Sequence, residues 1–221
     1  MIKSKSWNWD INTQDFWNIP SEDLYYYLDI WSKNGYKKFL DLGCGLGRHS
    51  IFFAKNGFEV YAFDLSEDGI EKFKQKIKDD NLQISVKLGD MLSLPYDDNY
   101  FDCILAYHSI YHTDSSGIVS VLNEIQRVLN INGEAFLTFN SKNNPSFYKE
   151  SNEKIDANTI VKTEGNEIGI PHYYANLEDI KILLSNFNIK KIRQIEDIYE
   201  ENGKIYNSWH YFVNVKKQTS T

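Results

Sequence analysis

The chain has few cysteines and no long apolar run. Only two of its 221 residues are cysteine, Cys44 and Cys103, so no disulfide framework is expected and the sequence is typical of a reducing compartment. No stretch approaches the roughly 18 apolar residues of a membrane span, and Met1 to Asp10 lacks the apolar core of a signal peptide. We therefore expect a soluble, cytoplasmic protein without a membrane partner.

An excess of positive charge is also missing. Lysine and arginine total 24 against 31 aspartate and glutamate residues, which gives a formal net charge of −7. This balance opposes sequence-independent attraction to phosphate backbones. Bulk nucleic-acid binding is therefore not expected, although a single local patch would suffice for a modified tRNA base.

Size and composition predict one domain with an added cap. A length of 221 residues with 42% hydrophobic residues is sufficient for one sizeable core. Aromatic residues crowd the first 31 positions, so we interpret residues 1–35 as an aromatic helical cap, with a helix from Ser21 to Lys33 capped by Ser21. Phe16 and Trp17 are candidates for a lid over a site, and the alternative is that this segment is ordinary core.

From Tyr36 to the end of the chain, short apolar runs alternate with amphipathic stretches. This pattern predicts a doubly wound, Rossmann-like α/β domain over residues 36–221, with a mostly parallel seven-stranded sheet, helices on both faces and an antiparallel edge strand. The alternation lapses over residues 141–176, which predicts an insertion on the substrate side. The predicted strands are Lys38–Leu42, Phe58–Phe63, Ile84–Leu88, Phe101–Ala106, Glu134–Phe139, Ile189–Ile195 and His210–Val215. The predicted helices are Arg48–Asn56, Ser66–Lys78, Ile118–Leu129 with an end at Asn132-Gly133, and Asn176–Asn186.

The most informative segment is a strand that runs into three alternating glycines, Gly43, Gly45 and Gly47. Glycine tolerates positive φ and lets a ligand approach the backbone, which opens a nucleotide-sized crevice at the carboxyl end of the strand. Asp64 ends the next predicted strand, where a carboxylate accepts both ribose hydroxyls of an adenosine. Arg48 stands where a dinucleotide fingerprint has its third glycine, which favours a ligand without a pyrophosphate.

These residues resemble the first motif of the class I S-adenosylmethionine-dependent methyltransferases, an acidic residue followed by G-x-G-x-G. The resemblance covers roughly Tyr36 to Phe139, includes the run Leu94–Asp102 and the helix exit Ile125–Glu134, and is to the small-molecule type. It implies that S-adenosylmethionine is the cofactor and S-adenosylhomocysteine the product. The cofactor-binding residues it implies are Asp41, Gly43, Cys44, Gly45, Gly47, Arg48, Asp64, Leu65, Asp90, Met91 and Tyr107.

Methyl transfer from a sulfonium is an in-line displacement, which depends mainly on positioning and, for a neutral acceptor, on removal of a proton. The segment after the fourth predicted strand, Tyr107 to Asp114, holds two histidines and two tyrosines. The resemblance places His108 or His112 near the acceptor, and we favour His112 as the catalytic residue. The alternative for each is a ring packed in the core and bonded to backbone. Substrate contacts are expected from Trp17, Tyr111, His172 and Tyr173.

The sequence is therefore interpreted as a methyltransferase for a small-molecule acceptor, either a monomer or a homodimer. No spacing of histidine, cysteine and aspartate indicates a metal site, so none is expected. The alternatives are a tRNA-base methyltransferase, a non-catalytic S-adenosylmethionine-binding module and an NAD(P)-dependent oxidoreductase. Arg48 and the pair Asp90-Met91 argue against the last of these.

Overall fold

The computed structural model describes residues 5–10, 15–201 and 203–218. Within these residues, strands and helices alternate as the sequence predicts. The five helices are α1 (Asp23–Lys33), α2 (Arg48–Lys55), α3 (Glu67–Asp79), α4 (Ser115–Val128) and α5 (Leu177–Leu183). The ten strands are β1 (Lys38–Leu42), β2 (Glu59–Asp64), β3 (Ile84–Leu88), β4 (Phe101–Ala106), β5 (Leu129–Ser141), β6 (Glu153–Lys154), β7 (Thr159–Val161), β8 (Pro171–Ala175), β9 (Phe187–Glu201) and β10 (Lys204–Lys217).

The ten strands are connected by pairing, and seven of them follow the order β3-β2-β1-β4-β5-β10-β9, with β8, β7 and β6 joined at the end of β5. The first five are parallel, and β10 runs antiparallel to both β5 and β9. The predicted fold class is thereby confirmed. The chain moves outward from β1 to β3 and then returns to β4 on the other side of β1, so the loops after β1 and β4 diverge. Such a switch point opens a crevice at the carboxyl ends of the strands.

Helices cover both faces of this sheet because alternate strand residues point to opposite sides. On one face, Phe39 packs with Trp31 of α1 and Phe53 of α2. On the other face, Leu40 packs with α4, whose apolar residues recur at helical spacing. The two layers hold β1 rigid, and β1 carries the glycine loop.

The insertion forms a small antiparallel sheet in which β7 pairs with β6 and β8. Two residues of β8, Tyr174 and Ala175, pair in parallel with Asn140 and Ser141 at the end of β5. The insertion is therefore joined to the carboxyl edge of the main sheet, where the crevice opens.

Several predicted boundaries differ from the observed ones. Ser21 does not cap α1: its hydroxyl donates to the Tyr107 hydroxyl at 2.9 Å, and Glu22 holds the cap position. Helix α4 ends at Val128, before the predicted Asn132-Gly133, because β5 begins at Leu129 and its pairing with β4 shifts register there. Strands β9 and β10 are much longer than predicted because they pair along their whole length. The turn expected at Asn202 lies partly outside the described residues.

Among the described residues, we find no helix that has both the length and the apolarity needed to cross a bilayer.

Trp31 anchors α1 to the sheet, and this anchor generates a stability prediction. Its side chain is fully buried, and its ring lies 5.7 Å from that of Phe53. Trp31→Ala should lower the free energy of unfolding by about 3–5 kcal/mol, since it removes a large side chain from a packed site. Tyr26→Ala on the same helix removes a ring that is 57% exposed and should change it by less than about 1 kcal/mol. Urea denaturation checks both, and equal losses would contradict the assigned packing.

Candidate active site

The glycine loop lies at the carboxyl end of β1 with no room for side chains. Gly43 and Gly45 both adopt positive φ, +80° and +52°. A Cβ on Gly43 would lie 2.2 Å from Cβ of Ser109, and one on Gly45 would lie 2.4 Å from the ring of Trp9. The amide of Gly43 donates to the Phe63 carbonyl at 2.7 Å, which ties the loop to β2. The bare backbone of the loop is thus fixed at the edge of the crevice, where Trp9 lies against it.

Asp64 lies at the end of β2, and both of its carboxylate oxygens accept backbone hydrogen bonds. The Gly45 amide donates to Oδ2 at 2.7 Å and the Ser66 amide donates to Oδ1 at 2.8 Å. Burial raises the pKa of Asp64, and these backbone hydrogen bonds oppose the rise. Each oxygen keeps a further lone pair, so the carboxylate is fixed in place to accept a pair of hydroxyls.

Asp41 lies beneath the loop and does not line the crevice. It is almost fully buried, and the Ser50 hydroxyl donates to its Oδ2 at 2.6 Å. Burial raises the pKa of Asp41 to about 6, although the Ser50 hydrogen bonds lower it. The hydrogen-bond partner of Asp41 is therefore in the first turn of α2, and Asp41 supports the glycine loop from beneath.

Arg48 is one of the predicted cofactor-binding residues. In the structure its guanidinium donates to the Ile19 carbonyl at 3.2 Å and lies over the rings of Trp17 and Tyr107, 5.3 and 5.7 Å from their centroids. The side chain still borders the cavity, where it joins the N-terminal segment to the loop after β4.

A cavity of about 820 Å³ opens at this edge of the sheet. Most of the sequence-predicted site residues line it, in four groups: the glycine loop, the ends of β2 and β3, the loop after β4 and the covering segments. The predicted site residues in this lining are Gly43, Cys44, Gly45, Arg48, Asp64, Leu65, Asp90, Met91, Tyr107, His108, Tyr111, His112, Trp17 and His172.

Three predicted site residues lie outside the cavity lining: Asp41, Gly47 and Tyr173. Gly47 begins α2, and a Cβ there would lie 2.1 Å from the ring of Phe73, so it serves packing. The prediction that Tyr173 contacts substrate is wrong. Its side chain packs in the main core, and Nδ2 of Asn158 donates a hydrogen bond to its hydroxyl at 2.9 Å. Side chains alternate along β8, so His172 and Tyr174 face the cavity instead.

A triangle of tryptophans covers the glycine loop. The ring centroids of Trp7, Trp9 and Trp17 lie 5.3 to 5.4 Å apart, and the Trp9 amide donates to Asp68 at 2.7 Å. The sequence singled out Phe16 and Trp17 for a lid. The side chain of Phe16 lies outside the described residues, and Trp7 and Trp9, which were not predicted site residues, line the cavity beside Trp17.

His108 forms the floor of the cavity together with residues that the prediction missed. It adopts a positive φ of +52°, and its Nδ1 lies 3.1 Å from the Tyr111 hydroxyl. Its ring centroid is 4.4 Å from that of His210, which pairs across the sheet with Asn140. Nδ1 of His210 and Nδ2 of Asn140 are buried and have no hydrogen-bond partner within the part of the chain that the structure describes, so both are available to a ligand. The sequence indicates these two residues only by position, since Asn140 lies near the end of β5 and His210 lies on the neighbouring strand β10.

At the other wall, the structure brings together His112, His172, Glu167 and Lys162. Nε2 of His112 lies 3.6 Å and Nε2 of His172 lies 3.2 Å from Oε1 of Glu167, and Lys162 pairs with Oε2. Burial lowers the pKa of His112 to about 3 and that of Lys162 to about 8. Burial likewise lowers the pKa of His172, so the neutral form of both rings is favoured.

This cluster bears on the expectation that the chain has no metal site, which stays a prediction. One ligand atom from each of His112, Glu167 and His172 lies within 4.8 Å of the others, an arrangement that could hold a metal ion. Local residue spacing does not indicate this cluster because His112 lies more than 50 residues before Glu167 and His172 in the chain.

Comparisons with known proteins agree with this geometry. Residues 39–133 match the family model of a methyltransferase domain. Methyltransferase GfsG of Streptomyces halstedii is 33% identical over 116 residues, which are 51% of this chain and 40% of that protein. Demethylmenaquinone methyltransferase of Lactobacillus johnsonii is 32% identical over 117 residues, 47% of each chain. The chain thus spans less than half the length of these curated relatives.

Solved structures share the fold over nearly the whole chain. The crystal structure of an S-adenosylmethionine-dependent methyltransferase from Methanosarcina mazei has a TM-score of 0.74 at 18% sequence identity, covering 91% of this chain and 100% of that chain. At this identity the likeness is one of fold alone.

The buried Asp41 generates a pH-dependent prediction. Its folded pKa of about 6 exceeds the ordinary value of 3.8, so the folded state binds this proton more tightly than the unfolded state. Asp41 therefore reduces stability as pH rises through this range, by roughly 3 kcal/mol once fully ionised. Asp41→Asn keeps an acceptor for Ser50 and should gain about that much unfolding free energy over the natural protein between about pH 4 and about pH 8. Parallel pH profiles of the two proteins would contradict the assigned burial.

Proposed function

We propose that this protein is a class I S-adenosylmethionine-dependent methyltransferase that transfers a methyl group to a small-molecule acceptor, a proposal supported by the match of residues 39–133 to a methyltransferase domain. The observation that carries the cofactor assignment is the Gly45 amide on Asp64 beside a glycine loop without room for side chains. This combination suits an adenosine with an amino-acid chain: hydroxyls face a fixed carboxylate and the chain passes over bare backbone.

The residues present fit each part of that cofactor. Asp64 would accept the ribose hydroxyls, Asp90 and Met91 border the cavity at the end of β3 for the adenine, and Tyr107 borders the end proposed for the methionine part. The Asp90 carboxylate already accepts the Leu92 amide at 3.0 Å, which holds it at the rim. None of these residues is assigned to a pyrophosphate.

The enclosure of the cavity supports a small acceptor. The tryptophan triangle, the insertion and the β9–β10 hairpin all contribute to its walls, and its volume of about 820 Å³ is of the order of pockets for drug-sized ligands. One structural neighbour, a 1,6-didemethyltoxoflavin-N1-methyltransferase from Burkholderia thailandensis with a TM-score of 0.66 and 15% identity, was crystallised with 1,6-didemethyltoxoflavin and S-adenosylhomocysteine. By analogy we place the acceptor of this chain between the cofactor and the histidines.

The proposed chemistry relies on positioning. When bound, S-adenosylmethionine supplies an electrophilic methyl group on sulfur. Trp7 and Trp9 exclude water from the crevice, and Asn140 and His210 offer buried polar atoms that orient the acceptor. His112 borders the cavity at the wall proposed for the acceptor, and Nδ1 of His108 lies 3.1 Å from the Tyr111 hydroxyl, so these side chains would orient the acceptor.

The affinity for S-adenosylhomocysteine tests the cofactor site. Asp64→Asn removes one charge from two charge-assisted hydrogen bonds and should weaken binding by about 1.5–3 kcal/mol, measured by titration calorimetry. Asp97→Asn changes an exposed aspartate and should leave the affinity unchanged. Thermal unfolding of both variants controls for loss of fold. Equal affinities for the natural protein and D64N would contradict the site.

The acceptor class can be tested without knowing the acceptor. The protein is incubated with S-adenosylmethionine labelled in the methyl group and with an extract of the source organism, which is then separated by molecular size. We expect label in the small-molecule fraction. Label in RNA, removed by ribonuclease, would overturn the small-molecule assignment while leaving methyl transfer intact.

A further inference from the structure

We propose that His112, His172 and Glu167 bind a divalent transition-metal ion at the acceptor wall of the cavity. The three side chains come from the loop after β4, the turn before β8 and β8 itself. Each offers one ligand atom, and the three atoms lie within 4.8 Å of one another. Two imidazole nitrogens and one carboxylate oxygen suit Zn²⁺, Fe²⁺ or Co²⁺, whereas Ca²⁺ and Mg²⁺ prefer sites built from oxygen.

The two distances to the carboxylate fit a shared ion. The Nε2 atoms of His112 and His172 lie 3.6 and 3.2 Å from Oε1 of Glu167, and all three atoms lie within 4.8 Å of one another. A tetrahedral ion with bonds of about 2.1 Å holds its ligand atoms about 3.4 Å apart. Both Nε2 atoms are buried, and neither has a hydrogen-bond partner among the described residues. The two nitrogens therefore face the carboxylate across a gap that an ion would fill.

The tautomer of His172 points the same way. Its Nδ1 lies 2.9 Å from the Ile170 carbonyl oxygen, which can only accept, so Nδ1 carries the proton. Nε2 then faces Oε1 of Glu167 at 3.2 Å, a separation that a proton or a metal ion bridges. With a metal ion there, Nε2 supplies its lone pair as the ligand atom. A backbone carbonyl on the other ring nitrogen is also the usual support of a metal-binding histidine.

The surroundings leave one carboxylate oxygen for the ion. Lys162 pairs with Oε2 of Glu167, so Oε1 alone faces the two histidines. On the other side, the ring of Trp7 lies 6.0 Å from that of His112 and closes the cluster toward the glycine loop. Lys162 thus acts as a hydrogen-bonding support of the ligand carboxylate, in the manner of groups that orient metal ligands.

Three protein ligands leave at least one coordination position open toward the cavity. An ionised oxygen or sulfur of the acceptor would occupy it, because a bound ion lowers the pKa of such a group and fixes its direction. This role rests on the proposed methyl transfer. The ion site itself does not, since it depends only on the three side chains.

The test uses the full chain, freed of metal by dialysis against a chelator. Zn²⁺ binding is measured by calorimetry, and Co²⁺ binding by visible absorption, which reports the coordination geometry. We expect one tight equivalent of either ion. Glu167→Gln and His172→Gln should each weaken binding about tenfold or more. Glu164→Gln, an exposed acid in the same turn that pairs with Lys149, is the matched control and should bind like the natural protein.

Two results would overturn the proposal: no saturable binding of Zn²⁺ or Co²⁺ to the natural protein, or equal binding to the natural protein and E167Q, which would indicate an adventitious ion only. The affinity of each variant for S-adenosylhomocysteine is measured in parallel. Retained affinity shows that the fold and cofactor site are intact, so failure of the metal site is distinguished from failure of the methyltransferase assignment. Should H172Q fail to fold, E167Q alone decides.

Discussion

The site depends on the hydrogen bond from the Gly45 amide to the Asp64 carboxylate. It joins the loop after β1 to the end of β2, and it forms only because Gly45 has no side chain between the loop and Trp9. Any Cβ there would have to displace the tryptophan. The same hydrogen bond fixes the direction of the Asp64 carboxylate. The conformation of the glycine loop, the orientation of Asp64 and the position of Trp9 therefore depend on one another.

The two ends of the cavity differ in electrostatic character. Near the glycine loop, backbone amides surround a buried carboxylate and favour its ionised form against the effect of burial. At the far wall, burial lowers the pKa values of His112 and His172 and favours their neutral rings. One end thus suits hydroxyl donors of a cofactor, and the other suits a metal ion. This difference follows from the hydrogen bonds that backbone amides donate to Asp64 at one end and from the imidazole nitrogens at the other.

Features that depend on neighbouring residues were predicted well. The glycine loop, the strand Ile84–Leu88 and the Ser66 cap of α3 all appear as expected, because local turn chemistry and apolar alternation determine them. Features set by contacts between distant segments were missed. Trp9 lies against Gly45 only because the fold brings these distant segments together. The same holds for Glu167 and His112. Tyr173 was assigned to the wrong face because two neighbouring aromatic residues of a fully buried strand give no alternation to read.

A crystal structure with S-adenosylhomocysteine tests most directly whether the bare loop and Asp64 hold an adenosine. If they do, both ribose hydroxyls will lie within hydrogen-bond distance of the Asp64 oxygens, and the sulfur will face the wall formed by His112 and Asn140. A structure in which Trp9 still seals the loop and the ligand lies elsewhere would contradict this assignment.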